Sequence, residues 1–140
     1  MSTANLIKAF NKLVFQLNDD LIAVFPQESD FKLSKHTFEL LDKVNYKKIF
    51  ELVGPHLLMH KEALQNRDEN FFITTDASKY VETDDLIIIK KLRDYWKQDM
   101  TPDNKEKVWS YLNNAIKLTD MIIKSGFKGM YGYLTHLSFR

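Results

Sequence analysis

The chain has 140 residues, about one domain's worth, and 44% apolar with 13% aromatic residues is too rich in core-forming side chains for intrinsic disorder. Twenty Lys and Arg against nineteen Asp and Glu leave a formal charge of +1, so no global field drives the protein onto nucleic acid or an anionic membrane. The absence of cysteine excludes disulfides, thiolate metal centres and thiol nucleophiles together, and no apolar run approaches the roughly 20 residues of a spanning helix.

The opening MSTANLIKAFNKL is interrupted by Lys8, Asn11 and Lys12 and does not read as a secretory signal. Instead Leu6, Ile7, Phe10, Leu13, Val14, Leu17, Leu21, Val24 and Phe25 recur at spacings of three and four, the helical period. Ser2 or Thr3 can cap this helix, and Pro26 ends it by disfavouring helical geometry at Phe25. A second helix is expected from about residue 29 to 43, with Ser29 and Asp30 accepting the free N–H groups and Phe31, Phe38, Leu41 and Leu40 facing inward.

A third starts near Asn45 and sets Tyr46, Ile49, Phe50, Val53, Leu57 and Leu64 on one face. Gly54 and Pro55 lie inside it, and proline cannot donate to the carbonyl of Glu51, so a kink or a break is expected there. From Asn66 to Glu82 the helical period fails, which predicts an ordered loop anchored by Phe71 and Phe72. Thr83, Asp84 and Asp85 then suit the positive end of a helix running through Ile88, Ile89, Leu92, Tyr95 and Trp96. IIIKKL read alone fits a strand, but the caps and the length favour helix.

Thr101-Pro102-Asp103 is the clearest local signal: a capping hydroxyl, then a proline where its missing N–H costs nothing. The helix it opens carries Val108, Trp109, Leu112, Ala115, Ile116, Ile122 and Ile123, and Gly126 suits the left-handed residue that closes it. The fold class expected is all-α: a compact single-domain bundle of five or six helices over residues 1–126. A Gly/aromatic C-terminal tail, residues 127–140, is expected to pack on the bundle or on a partner.

Chemistry-bearing residues are few. His56 and His60, four apart, share a helix face as two zinc ligands do, but the position after the first His is Leu57 where the proteolytic motif needs Glu. The polar edge of a packed helix is the better reading of that pair, and also of His36 and His136. The adjacent acids Asp19 with Asp20, Asp68 with Glu69 and Asp84 with Asp85 diverge by about 100° on a helix, so they do not make an acid–base pair. No nucleophile elbow, phosphate-cradling loop or dinucleotide fingerprint is present, and no cofactor is expected.

Two groups of residues are candidates for binding. In the tail, Phe127, Lys128, Met130, Tyr131, Tyr133 and Phe139 combine the types enriched at protein interfaces with the charge and stacking surface that suits single-stranded nucleic acid. In the loop, Arg67 offers a fork of donors to Asp68, Glu69 or a distant carboxylate, while Phe71 and Phe72 fix the segment to the bundle. That reads either as a loop-to-helix lock or as an interaction surface.

Three stretches, LNDDLIAVFPQ, LQNRDENFFI and LRDYWKQDMTPDNKEKVWSYLNNAIKLTDMI, together resemble a group of short helical proteins encoded by nucleocytoplasmic large DNA viruses. The similarity spans about residues 10 to 124 and rests on Asn66, Arg67, Asp68, Glu69, Phe71, Phe72, Trp96, Trp109 and Tyr111. The tail from Phe127 departs from that pattern. The resemblance implies a viral protein of the virion or of the infected cell's cytoplasm and brings no reaction with it. The function expected is a non-enzymatic structural or interaction protein, a minor capsid component whose partner is another protein, capsid components or itself. The alternative is a nucleic-acid-associated factor acting through the tail, and the weakest reading is a metal-dependent enzyme built on His56 and His60.

Overall fold

The computed structural model describes residues 1–73 and 87–127, all of it helix, turn or irregular chain with no strand among the described residues. Seven helices follow in order: α1 (Thr3–Val24), α2 (Ser29–Val44), α3 (Lys48–Met59), α4 (Lys61–Gln65), α5 (Asn70–Ile73), α6 (Ile87–Trp96) and α7 (Pro102–Lys124). Five are long. The count exceeds the five or six expected because α4 and α5 are short turns of helix at 61–65 and 70–73, the latter inside the stretch expected as loop.

The long helices begin and end for local reasons. Ser2 accepts the Asn5 N–H at 3.1 Å to cap α1, and Thr101 accepts the Asn104 N–H at 3.2 Å ahead of Pro102 to cap α7. At the end of α7 Gly126 takes φ +102°, while the N–H groups of Gly126 and Phe127 reach back to the carbonyls of Ile123 and Ile122, a Schellman closure. The expected caps of α6 at Thr83, Asp84 and Asp85, and all of the tail beyond Phe127, lie outside the described residues.

Four expectations are corrected. Ser29 is the first residue of α2 and not its cap; Glu28 does that work, its carboxylate accepting the Asp30 N–H at 3.1 Å. Helix α3 runs through Pro55, and the interruption falls at His60, whose φ −110° and ψ 20° separate α3 from α4. Gly54 relieves one part of the cost, the contact of the proline ring with a preceding Cβ. Leu40, expected inside, is half exposed, and Val24 at the end of α1 is also exposed.

α1 lies antiparallel between α7 and α2. Thr3 meets Ser125 at one end of the α1–α7 pair and Asp20 meets Tyr111 at the other, while Lys35 of α2 pairs with Asp19 at 2.8 Å. α3 and α4 pack on α7, α6 packs on α2, and α5 packs on α6. One apolar core joins them, with Ile7, Phe10, Phe31, Ile49, Phe50, Leu92, Trp96, Ile116 and Ile122 out of contact with solvent. Burying one such side chain is worth roughly 1.5–3 kcal/mol, so the aromatic and branched positions of the periodic pattern carry the fold.

Candidate functional site

The densest arrangement of chemistry-bearing side chains is where α4, α5, α6 and α7 meet. α4 ends in a second Schellman closure: Arg67 N–H bonds to the Leu64 carbonyl at 3.2 Å and Asp68 N–H to the Ala63 carbonyl at 2.9 Å. The left-handed residue this demands is Arg67, φ +53°, where glycine is usual. Its guanidinium pairs with Glu106 on α7, the distant carboxylate, and both side chains are largely exposed. Asp68 then accepts the Asn70 N–H at 3.0 Å, which starts α5.

That reversal delivers Glu69 to the junction. One carboxylate oxygen accepts the Trp96 indole N–H at 3.2 Å and the Lys105 ammonium at 3.3 Å. Lys105 also stands over the Trp96 ring, 5.4 Å from its centroid, so a cation caps the aromatic face while the carboxylate holds its edge. Phe72 stacks on Trp96 at 4.1 Å with 17° between planes, and Trp109 meets both rings edge-on at 5.2 Å. Phe71 lies across Phe72 at 5.0 Å with the Arg93 guanidinium 5.2 Å above it. Trp96, Phe72 and Trp109 are buried, so the cluster is filled by its own side chains and leaves no room for a ligand between them.

Two further bonds tie Asp20 and Glu28, at and beyond the end of α1, to the tyrosines of α6 and α7. The Tyr111 hydroxyl donates to Asp20 at 2.5 Å, and burial, followed by this bond, pushes its pKa up to about 12. The Tyr95 hydroxyl donates to Glu28 at 2.8 Å while its ring stacks on Phe25 at 4.1 Å. The backbone N–H of Asp30, then the Tyr95 hydroxyl, hold the Glu28 carboxyl below its usual range. Lys91 stands 3.4 Å from Asp30 and 3.5 Å from Glu28, which raises its own pKa, chiefly through Asp30.

His56 lies within α3 and His60 at its C-terminal cap. Among the described residues no group of three or more His, Asp or Glu side chains could hold a metal ion. Both line an apolar cavity of about 70 Å³ with Leu13, Leu57, Leu64 and Leu112, and the His60 ring lies 5.3 Å from that of Phe71. An apolar cavity of ~150 Å³ is known to hold benzene. This one has room for a few methylene groups and not for a drug-sized substrate. His36 is exposed on α2, and His136 lies outside the described residues.

Of the tail residues only Phe127 is described; it packs edge-on against Phe50 at 5.2 Å and is tied to the core. Lys128, Met130, Tyr131, Tyr133 and Phe139 lie outside the described residues. The periodicity did not single out the outer face of α2, where Leu33, Leu40 and Val44 are 48%, 50% and 75% exposed. They stand seven and four residues apart, one line along the helix. No described helix is long and apolar enough to cross a membrane.

Comparisons with family models, with curated proteins and with solved structures find no match. The candidate site therefore rests on geometry. Its features divide in two: a buried clasp that joins helices, and a half-exposed apolar row along α2.

Proposed function

We propose that the chain is a non-enzymatic interaction protein of a large DNA virus, a small helical adaptor that binds another protein and serves in the virion as a minor capsid component. The observation that carries the interaction reading is the row Leu33, Leu40 and Val44. Of the six large apolar side chains most exposed among the described residues, these three share one face of one helix. Single exposed apolar residues need no explanation, whereas an aligned set supports a binding face.

Three acids among the described residues have structural duties. Asp20, Glu28 and Glu69 each accept a hydrogen bond from a buried or half-buried aromatic on another helix. The viral and virion parts of the reading are supported by the resemblance alone. Its residues Glu69, Phe71, Phe72, Trp96, Trp109 and Tyr111 are those that build the clasp and its neighbour on α7.

Affinity recovery from the cells in which the protein is made, wild type against Leu40→Glu, tests the reading. A protein recovered in stoichiometric amount with the wild type and lost with the variant supports it, as does presence of the chain in purified particles. Identical recoveries from both overturn the α2 face, and absence from particles overturns the capsid role.

The nucleic-acid alternative keeps one observation in its favour. The Lys8 and Lys47 ammonium groups stand 5.5 and 5.8 Å from the Tyr46 ring, beside the open cleft that Gly126 and Phe127 also line. Affinity for single strands that falls steeply with salt and vanishes on removing residues 128–140 supports it; no binding at low salt ends it.

A further inference from the structure

We infer that the centre of the bundle is a binding site for one small uncharged apolar molecule, at most the size of a single aromatic ring, and that the Tyr111–Asp20 bond sets its size limit. This goes beyond the interaction reading and does not depend on the α2 face.

The cavity of about 70 Å³ that His56 and His60 border is where all seven described helices meet, since Phe38 of α2, Phe71 of α5 and Ile88 of α6 complete the wall begun by Leu13, Leu57, Leu64 and Leu112. Packed interiors leave few spaces larger than a water molecule. Water itself gains little here, because a buried water needs about two to four polar partners and the wall is hydrocarbon apart from His56, His60 and Tyr111, none of which is free. A charged guest would give up its hydration against that wall. An uncharged apolar guest is the chemistry the space suits.

A second space of about 100 Å³ lies on the other side of Leu17 and Tyr111, the two residues that line both. It opens to solvent between the end of α1 and the start of α7, where Ala23, Val24 and Lys107 are exposed. The partition is one half-buried phenol ring beside one leucine. The Tyr111 hydroxyl is latched to Asp20 at 2.5 Å, and turning the ring outward breaks that bond and joins the two spaces. Together they exceed the ~150 Å³ cavity that holds benzene, whereas the inner one alone is about half of it. An atom-sized guest fits with the latch closed, and a ring fits only with the latch broken.

The test is a methyl NMR titration of the full-length protein with xenon and with benzene, benzoate serving as the charged control. Xenon and benzene are expected to shift the methyls of Leu13, Leu57, Leu64 and Leu112 saturably, and benzoate to leave them unmoved. Ala115→Leu, which enlarges a side chain of the wall, is expected to weaken both guests at least tenfold. Val53→Ile adds a single methyl to the same wall and is expected to weaken them at least threefold, which keeps the test decisive if Ala115→Leu does not fold. Tyr111→Phe keeps the ring and removes the latch, so it is expected to tighten benzene at least threefold and to leave xenon unchanged. No methyl shift with either guest, equal shifts with benzoate, shifts confined to α2, or undiminished affinity in the filled variants overturns the site. A Tyr111→Phe variant that binds benzene no better than the wild type, or that alters xenon and benzene equally, overturns the size limit.

Discussion

The Trp96 indole N–H donates to the Glu69 carboxylate at 3.2 Å, and because Trp96 is entirely buried that donor has to be satisfied within the protein. Removing the acceptor leaves a buried donor unsatisfied, which costs about 1–3 kcal/mol. Glu69→Ala is expected to lower stability by that amount in urea unfolding. Glu69→Gln, which keeps a neutral acceptor but loses the Lys105 pairing, is expected to lose less than half as much. Equal losses would mean that the Lys105 pairing, and not the indole bond, is what Glu69 supplies.

Arg67 occupies a left-handed position that glycine fills at no steric cost, and its exposed pairing with Glu106 is of the kind worth about 0–1 kcal/mol. Arg67→Ala keeps the strain and loses the pair. Arg67→Gly relieves the strain, so it is expected to be more stable than Arg67→Ala by about 1 kcal/mol. Thermal unfolding of the two variants decides it, and an alanine variant at least as stable as the glycine one would show that the backbone there is not strained.

Tyr111 should register in alkali. Its pKa rises from about 10 unfolded to about 12 folded, so its bond to Asp20 contributes fully below pH 10 and the contribution is lost between pH 10 and 12. The stability advantage of the wild type over Tyr111→Phe is expected to shrink across that window. A tyrosinate absorbance titration should likewise lose a step near pH 12 in the variant. An advantage that stays constant across the window would mean that Tyr111 titrates normally.

Asn18 is completely buried on α1, and neither atom of its amide has a hydrogen-bond partner among the described residues. Replacing an unsatisfied buried amide by an apolar group of similar size removes a desolvation penalty. Asn18→Leu is expected to raise stability by about 1–2 kcal/mol, measured as a higher melting temperature. A fall would show that the amide is held by a bond worth more than its burial.

What was legible in the sequence follows from the range of the forces involved. Ser2, Thr101, Pro102 and Gly126 act within one helical turn, and each is where local chemistry puts it. Pro55 sits inside α3 against the local rule that would break the helix there. Leu40 sits between Phe38 and Leu41 on a helix whose wheel admits either face inward, and only the placement of α1, α3 and α6 settles which. The clasp was half readable: the stretch around Arg67 and Phe72 stood out, but Lys105 and Glu106 joined it through tertiary proximity across more than thirty residues. The Tyr111–Asp20 bond spans 91 positions and has no local signal at all.

The claim that α2 is a binding face is tested most directly by site-specific photocrosslinking in the cells that make the protein. A photoreactive residue would replace Leu40 in one variant and Lys117, exposed on α7, in another. The account predicts a discrete adduct with another protein from position 40 and none from position 117. The same adducts from both positions, or none from position 40, would contradict it.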